Sequence, residues 1–255
     1  MFQPLTTRND GPIAHLVMDS PGNHNALSLQ MIAALTEALD RIAASDARVV
    51  ILSARGRAFC AGHDLRQMQA MREGPDPQAA LTDLFDRCSA LMMRIAALPQ
   101  PVIAQVQGVA TAAGCQLVAS CDLATASDQA RFGVNGIAIG LFCSTPAVAL
   151  SRAIPPRAAF EMLTTGDFIP AARAADLGLV NRVTRPDRLE EETRALADSI
   201  AAKDPAAIRI GKAAFRAQAG QALPDAYRIA AEAMCTNMMQ PATAEGIAAF
   251  LDRRR

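Results

Sequence analysis

PVIAQVQGVATAAGCQLVASCD, running from Pro101 to Asp122, sets the architecture around which the rest of the chain is arranged. Val102, Ile103, Ala104 and Val106 read as a short buried strand. Gly108 interrupts it, and the small residues from Ala110 to Gly114 open a helix that continues through Leu117 and Val118. A strand therefore feeds the N-terminus of a helix. The first N–H groups of a helix lack internal partners, and with the aligned peptide dipoles they present positive potential. Ala112, Ala113 and Gly114 carry almost no side chain, so a ligand oxygen can approach those N–H groups. Small residues also permit close helix packing, and this stretch alone leaves an oxyanion site and plain packing both open.

Outward from it, Val49 to Ser53 (VVILS) is a β-branched, apolar strand followed by AFCAGHDL, residues 58–65. A tight turn at Gly62 exposes N–H groups near His63, and Asp64 is placed to cap a helix that begins at Leu65. Earlier in the chain, Ile13 to Met18 is a first strand, with His15 a sheet residue. Ser28 is an N-cap, and Met31, Leu35, Leu39 and Ile42 recur at helical spacing to Ala44. A strand, a helix and a strand in succession imply repeated crossover connections. REGPDPQ, residues 72–78, is turn-rich. A helix then runs from Ala79 to Pro99, and 122–125 and 131–132 are two short strands. Thr145-Pro146 starts another helix, Pro170 opens one ending at Gly178, and Val180 to Val183 is a last short strand. From Pro186 the chain is Ala-rich and helical, with breaks at Pro205, Pro224 and Pro241.

The chain has 255 residues, enough for one large domain with a sizeable core. Its 25 basic and 25 acidic residues balance, so there is no electrostatic footprint for nucleic acid or an anionic membrane. Ile95 to Cys121 is uncharged, yet Pro99, Pro101, Gly108 and four glutamines argue for a buried strand and helix over a membrane span. Six cysteines without C-x-x-C spacing and three histidines offer no metal-ligand cluster, and reduced, mostly buried thiols are expected. Met1 to Asp10 lacks the basic start and apolar core of a signal peptide, which predicts a cytoplasmic protein.

FCAGHDL and GVATAAGCQLVASCDLATASDQARFG, followed in order by GLFCSTP and LGLVNRV, resemble the enoyl-CoA hydratase/isomerase (crotonase) family, and most closely its enoyl-CoA hydratase domain-containing subgroup. The similarity runs from about Ile13 to the C-terminus. It implies an α/β fold with a ββα-spiral acyl-CoA-binding core over residues 1–185. A helical region over 186–255 would complete the CoA site and an interface in a homotrimer or dimer of trimers. The resemblance further implies that the N–H groups of His63 and Ala113 hold a thioester oxygen. Ala61, Gly62, Asp64 and Gly114 belong to the same two motifs. Asn25, Ala26 and Leu27 match an N-A-L segment that lies beside CoA in relatives, Lys212 and Phe215 match residues that approach it, and 72–78 matches a mobile wall of the acyl pocket. Cys143, Ser144 and Thr145 line the pocket, with Cys143 an inert wall for want of an activating base. No metal and no cofactor beyond the CoA of the substrate are implied.

The family's hydratases use two glutamates, whose matching positions here are Gln116 and Gly136. A glutamine can orient water but cannot accept a proton at neutral pH, and glycine can do neither. General acid or base action contributes roughly 10²- to 10⁴-fold per group, so most hydratase turnover should be lost. Restoring both glutamates should then raise hydration. Asn135, beside the second position, can hold a water by hydrogen bonding, and His63 has the only side chain near the presumed hole that titrates close to neutrality. Three readings follow. The first is an enzyme on a CoA thioester, nominally an enoyl-CoA hydratase, with the alternative of an isomerisation- or decarboxylation-type reaction that rests on enolate stabilisation. The second is a catalytically weak acyl-CoA-binding protein. The third, a protease using Ser144 with His63, ranks far behind because no G-x-S-x-G-like elbow is visible.

Overall fold

In the computed structural model residues 3–252 are described; Met1, Phe2 and 253–255, which the readings of Met1–Asp10 and of the 186–255 region include, lie outside them. The strands are β1 Leu5–Asp10, β2 Ile13–Met18, β3 Val49–Ala54, β4 Ala58–Cys60, β5 Val102–Val106, β6 Val109–Thr111, β7 Leu123–Ser127, β8 Arg131–Gly133, β9 Ile169–Pro170 and β10 Arg182–Thr184. The helices are α1 Leu29–Ala43, α2 Leu65–Arg72, α3 Pro77–Ala97, α4 Ala113–Ser120, α5 Ser144–Ala153, α6 Pro156–Thr165, α7 Ala171–Asp176, α8 Leu189–Ala201, α9 Pro205–Gln218, α10 Leu223–Met238 and α11 Pro241–Asp252.

The strands form two sheets, β1-β2-β3-β5-β7-β10 and β4-β6-β8-β9. Consecutive strands alternate between them: β3 then β4, β5 then β6, β7 then β8, each pair followed by helix, which is a ββα spiral. Within the first sheet β2, β3, β5, β7 and β10 are parallel, while β1 is antiparallel to β2 across a two-residue loop that starts with Gly11 at φ +56°. The central stretch differs from its sequence reading at one point. Val109–Thr111 is a strand of the second sheet, and the helix opens only at Ala113. Gly108 makes that corner, since a Cβ there would lie 2.1 Å from the Arg57 carbonyl oxygen.

β3 is buried on both faces, as expected for a central parallel strand. Val50 and Leu52 enter the main core with Leu16, Leu35, Leu39 and Phe59, whereas Val49 and Ile51 join Ile13 and Ile103 beneath Ala197 and Ala201 of α8. Helix α8 therefore covers the outer sheet face. Each such Ile or Val buried contributes about 1.5–3 kcal/mol. Helices α9, α10 and α11 contain no buried residue, and each has proline in its first turn, at 205, 224 and 241. Five cysteines are buried and Cys235, on α10, is exposed. Among the described residues no helix is long and apolar enough to cross a membrane.

Candidate active site

The first half of the site is the turn after β4. Gly62 has φ +90°, in the region that favours glycine, and its carbonyl accepts from the Leu27 N–H at 2.7 Å while the Ala61 N–H donates to His24 at 3.1 Å. The Asp64 carboxylate accepts from the N–H groups of Arg66 and Gln67, capping α2. The His63 N–H between them donates to no acceptor among the described residues.

The second half is the start of α4. Ala112 has φ +49° and ψ −122°, a conformation rare outside glycine that costs about 1–3 kcal/mol. It is held from both sides, its N–H donating to the Gly133 carbonyl at 2.9 Å and its carbonyl accepting from the Gln116 N–H at 3.1 Å. The Ala113 N–H is left without an acceptor among the described residues, and no side chain caps the helix. The two turns touch. A Cβ on Gly62 would lie 2.9 Å from the Ala112 Cβ and 3.3 Å from the Ala113 nitrogen, and one on Gly114 would lie 2.2 Å from the Cys60 carbonyl oxygen.

His63, Ala112 and Ala113 line one cavity of about 360 Å³, closed by Phe85, Leu141 and Phe142, among others. Its described lining contains no Asp, Glu, Lys or Arg. The His63 ring stands edge-on to Phe85, centroids 5.6 Å apart, with Nδ1 3.3 Å from the Leu27 carbonyl oxygen. A carbonyl accepts, so Nδ1 carries the proton and Nε2, buried without a partner, is the bare nitrogen. Burial lowers the imidazole pKa below 6.5 and keeps the ring neutral. Cys143 is 7% exposed, and burial raises its thiol above the ordinary range, which suits an inert wall. Asn135 lines the cavity with its Oδ1 accepting from the Thr111 hydroxyl at 2.7 Å, leaving its amide N–H groups available. Sequence reading missed Thr111; its one signal is alternation with buried Ala110 along β6.

Gln116 and Gly136, expected from the resemblance to match two glutamates, are not equivalent in the structure. Gly136 lines the cavity, but a Cβ there would lie 2.4 Å from the Leu141 carbonyl oxygen and 2.8 Å from Cys143 Sγ. A side chain at 136 has no room unless the 136–143 turn moves, so the expected simple restoration of both glutamates is corrected. Gln116 faces a second cavity of about 320 Å³ that shares Thr145 with the first.

Other expected contacts lie away from the main cavity. The Asn25 side chain is fully buried, accepting from the Ser20 N–H and donating to the carbonyls of Arg55 and Ala58, so it ties loops together; Ala26 and Leu27 are buried beside it. Lys212 Nζ lies 2.6 Å from Asp122 Oδ2 and donates also to the carbonyls of Gln100 and Ile95. Its three donors are satisfied within the chain. Asp122 additionally accepts from Arg216 and from the Val102 N–H. Phe215 is 69% exposed in a groove between α9 and α10.

The sequence model of the family described as Enoyl-CoA hydratase/isomerase matches residues 8–255. Enoyl-CoA hydratase domain-containing protein 3, mitochondrial, from Rattus norvegicus is 44% identical over 98% of this chain and 82% of its own. The protein of that name from Homo sapiens is 43% identical over 99% of this chain and 82% of its own. An enoyl-CoA hydratase from Mycobacterium smegmatis superposes with TM-score 0.94 at 49% identity, covering 99% of this chain and 97% of that one. The human domain-containing protein 3 superposes with TM-score 0.92 at 42% identity, covering 99% and 98%. The names of the rat and human relatives place them in mitochondria, which overturns the cytoplasmic location expected from Met1 to Asp10.

Proposed function

This chain belongs to the enoyl-CoA hydratase/isomerase family and has the crotonase fold, and on that premise we propose that it binds an acyl-CoA or enoyl-CoA thioester with the carbonyl oxygen between the N–H groups of His63 and Ala113. The observation that carries this reading is that two amides from different turns, neither with an acceptor among the described residues, line the same cavity. Their dipoles act on charge that develops as the thioester becomes an enolate. One such donor is worth about 2.7–4 kcal/mol in a site that excludes water.

The lining has no carboxylate, so water addition lacks both its base and its acid. Asn135, oriented by Thr111, can hold a water but takes no proton from it. The nominal activity is enoyl-CoA hydration at low turnover. Decarboxylation, which releases CO2 to leave the enolate and takes its proton from water, suits this lining better. Isomerisation moves a proton from the α to the γ carbon, for which the bare Nε2 of His63 is the acceptor that the described lining offers. In their absence the protein acts as an acyl-CoA-binding protein. CoA belongs to the substrate in this reading, and no metal or further cofactor takes part. Exposed apolar side chains on α9 to α11, such as Phe215, Tyr227 and Met238, favour assembly into a trimer or dimer of trimers, which analytical ultracentrifugation would measure.

Calorimetric titration with crotonyl-CoA, paired with a hydration assay in water, tests the reading. Binding is expected with turnover at least roughly 10²-fold below that of a relative bearing both glutamates. Turnover equal to that relative's would refute the account of Gln116 and Gly136; absence of any thioester binding would refute the site.

A further inference from the structure

We propose that the second cavity, behind α4, receives a carboxylate at the far end of an acyl chain whose thioester lies in the main cavity. The inference rests on the acyl-CoA reading and names a substrate class for it: monothioesters of dicarboxylic acids.

Thr145, at the start of α5, lines both cavities, so the two adjoin there. Met92, Met93, Ala96 and Val148 give the second cavity apolar walls fit for an alkyl chain. Its charged lining groups are Arg152 and Arg216, and among the described residues that line it there is no Asp or Glu. Arg152 donates to the Val148 carbonyl at 2.8 Å, and among the described residues no carboxylate pairs with it. Arg216 shares Asp122 with Lys212, so two cations face one anion in that cluster. The cavity therefore carries excess positive charge beside apolar walls.

Gln116 supplies the second, independent observation. The residue is 4% exposed, lines this cavity, and its Oε1 is buried without a partner. A buried amide oxygen left unpaired costs about 1–3 kcal/mol, so an orphan of this kind calls for an explanation. Among the described residues no partner holds either polar atom of the amide. Turned about its last torsion, the side chain presents two N–H donors to a carboxylate. A glutamate of the same shape has no donor to offer and would repel the anion. The replacement that removes the family's acid thus suits a chain with an anionic end.

The test compares matched CoA thioesters of equal length by calorimetry: succinyl- against butanoyl-, adipoyl- against hexanoyl-, and suberoyl- against octanoyl-CoA. Within each pair any contact with CoA itself cancels. At least one carboxylate-ended member is expected to bind roughly fivefold or more tightly than its methyl-ended partner. Arg152→Gln, at an exposed position, should bring that ratio to about one, and Gln116→Glu should invert it. Equal binding within every pair, or a preference that survives Arg152→Gln, overturns the proposal while leaving the acyl-CoA reading in place. Failure of all six thioesters to bind overturns that reading, and this inference with it.

Discussion

Gln116 and Gly136, which the sequence resemblance sets against two glutamates, differ in what their surroundings allow. At 116 the shape of a glutamate persists and only its charge is gone, with the side chain turned toward a cavity lined by two guanidiniums. At 136 the side chain is gone and its space is taken by the Leu141 carbonyl and the Cys143 sulfur. The first change is one of electrostatics, and the second is built into the path of the backbone. One substitution can reverse the former, whereas the latter needs a new turn.

The sharpest way to break the comparison is Gly136→Glu. Its Cβ collides with backbone and its carboxylate enters an apolar lining, so a loss of about 3 kcal/mol or more is expected in chemical denaturation, with no gain in hydration. A stable, more active variant would show that the 136–143 turn yields. Gln116→Glu should be milder, within about 1–3 kcal/mol, because the change is isosteric and two arginines line the same cavity. A loss as large as that at 136 would mean that the second cavity does not temper a negative charge.

A third substitution in the same stretch sharpens the contrast from the stabilising side. Ala112→Gly relieves about 1–3 kcal/mol of backbone strain and gives up about 0.8 kcal/mol for a methyl group, so thermal unfolding should move up by the equivalent of about 1 kcal/mol. A lower melting temperature would show that the methyl packs more than it strains.

The smallest effect is in pH. Burial lowers the folded-state pKa of both His63 and His15 below 6.5, so the folded protein resists protonation that the unfolded chain accepts. Stability should be full above about pH 6.5 and decline as the pH falls toward the lowered values. His63→Gln should flatten part of that decline in melting temperatures measured from about pH 7 to 5.

The main sheet and its helices were legible because their signals are long. VVILS spans a full strand, α1 carries four apolar residues at helical spacing behind its Ser28 cap, and prolines mark the starts of α9 to α11. The second sheet was legible only at β8, read as a strand at 131–132; β4 and β6 have three residues each and give periodicity nothing to act on. β1, LTTRND, is a polar edge strand with one buried residue, Leu5, and α6 gave no signal that was read. At the site, the resemblance points to the His63 and Ala113 amides, and the tight turns that carry them are written in Gly62, Gly114 and their small neighbours. It misplaced Lys212 and Asn25, whose polar ends are consumed by carbonyls from segments distant in sequence. No linear pattern records which side of a helix a glutamine will face.

The distribution of sulfur has a practical consequence. Cys60, Cys88 and Cys115 have thiols pushed up to about 12, Cys121 and Cys143 are raised as well, and all five are buried. Thiolate is the reactive form, so maleimide reagents at neutral pH should find Cys235 first and stop there. A dye attached at that single handle would sit on α10, which lines neither the main nor the second cavity, on the unmutated protein.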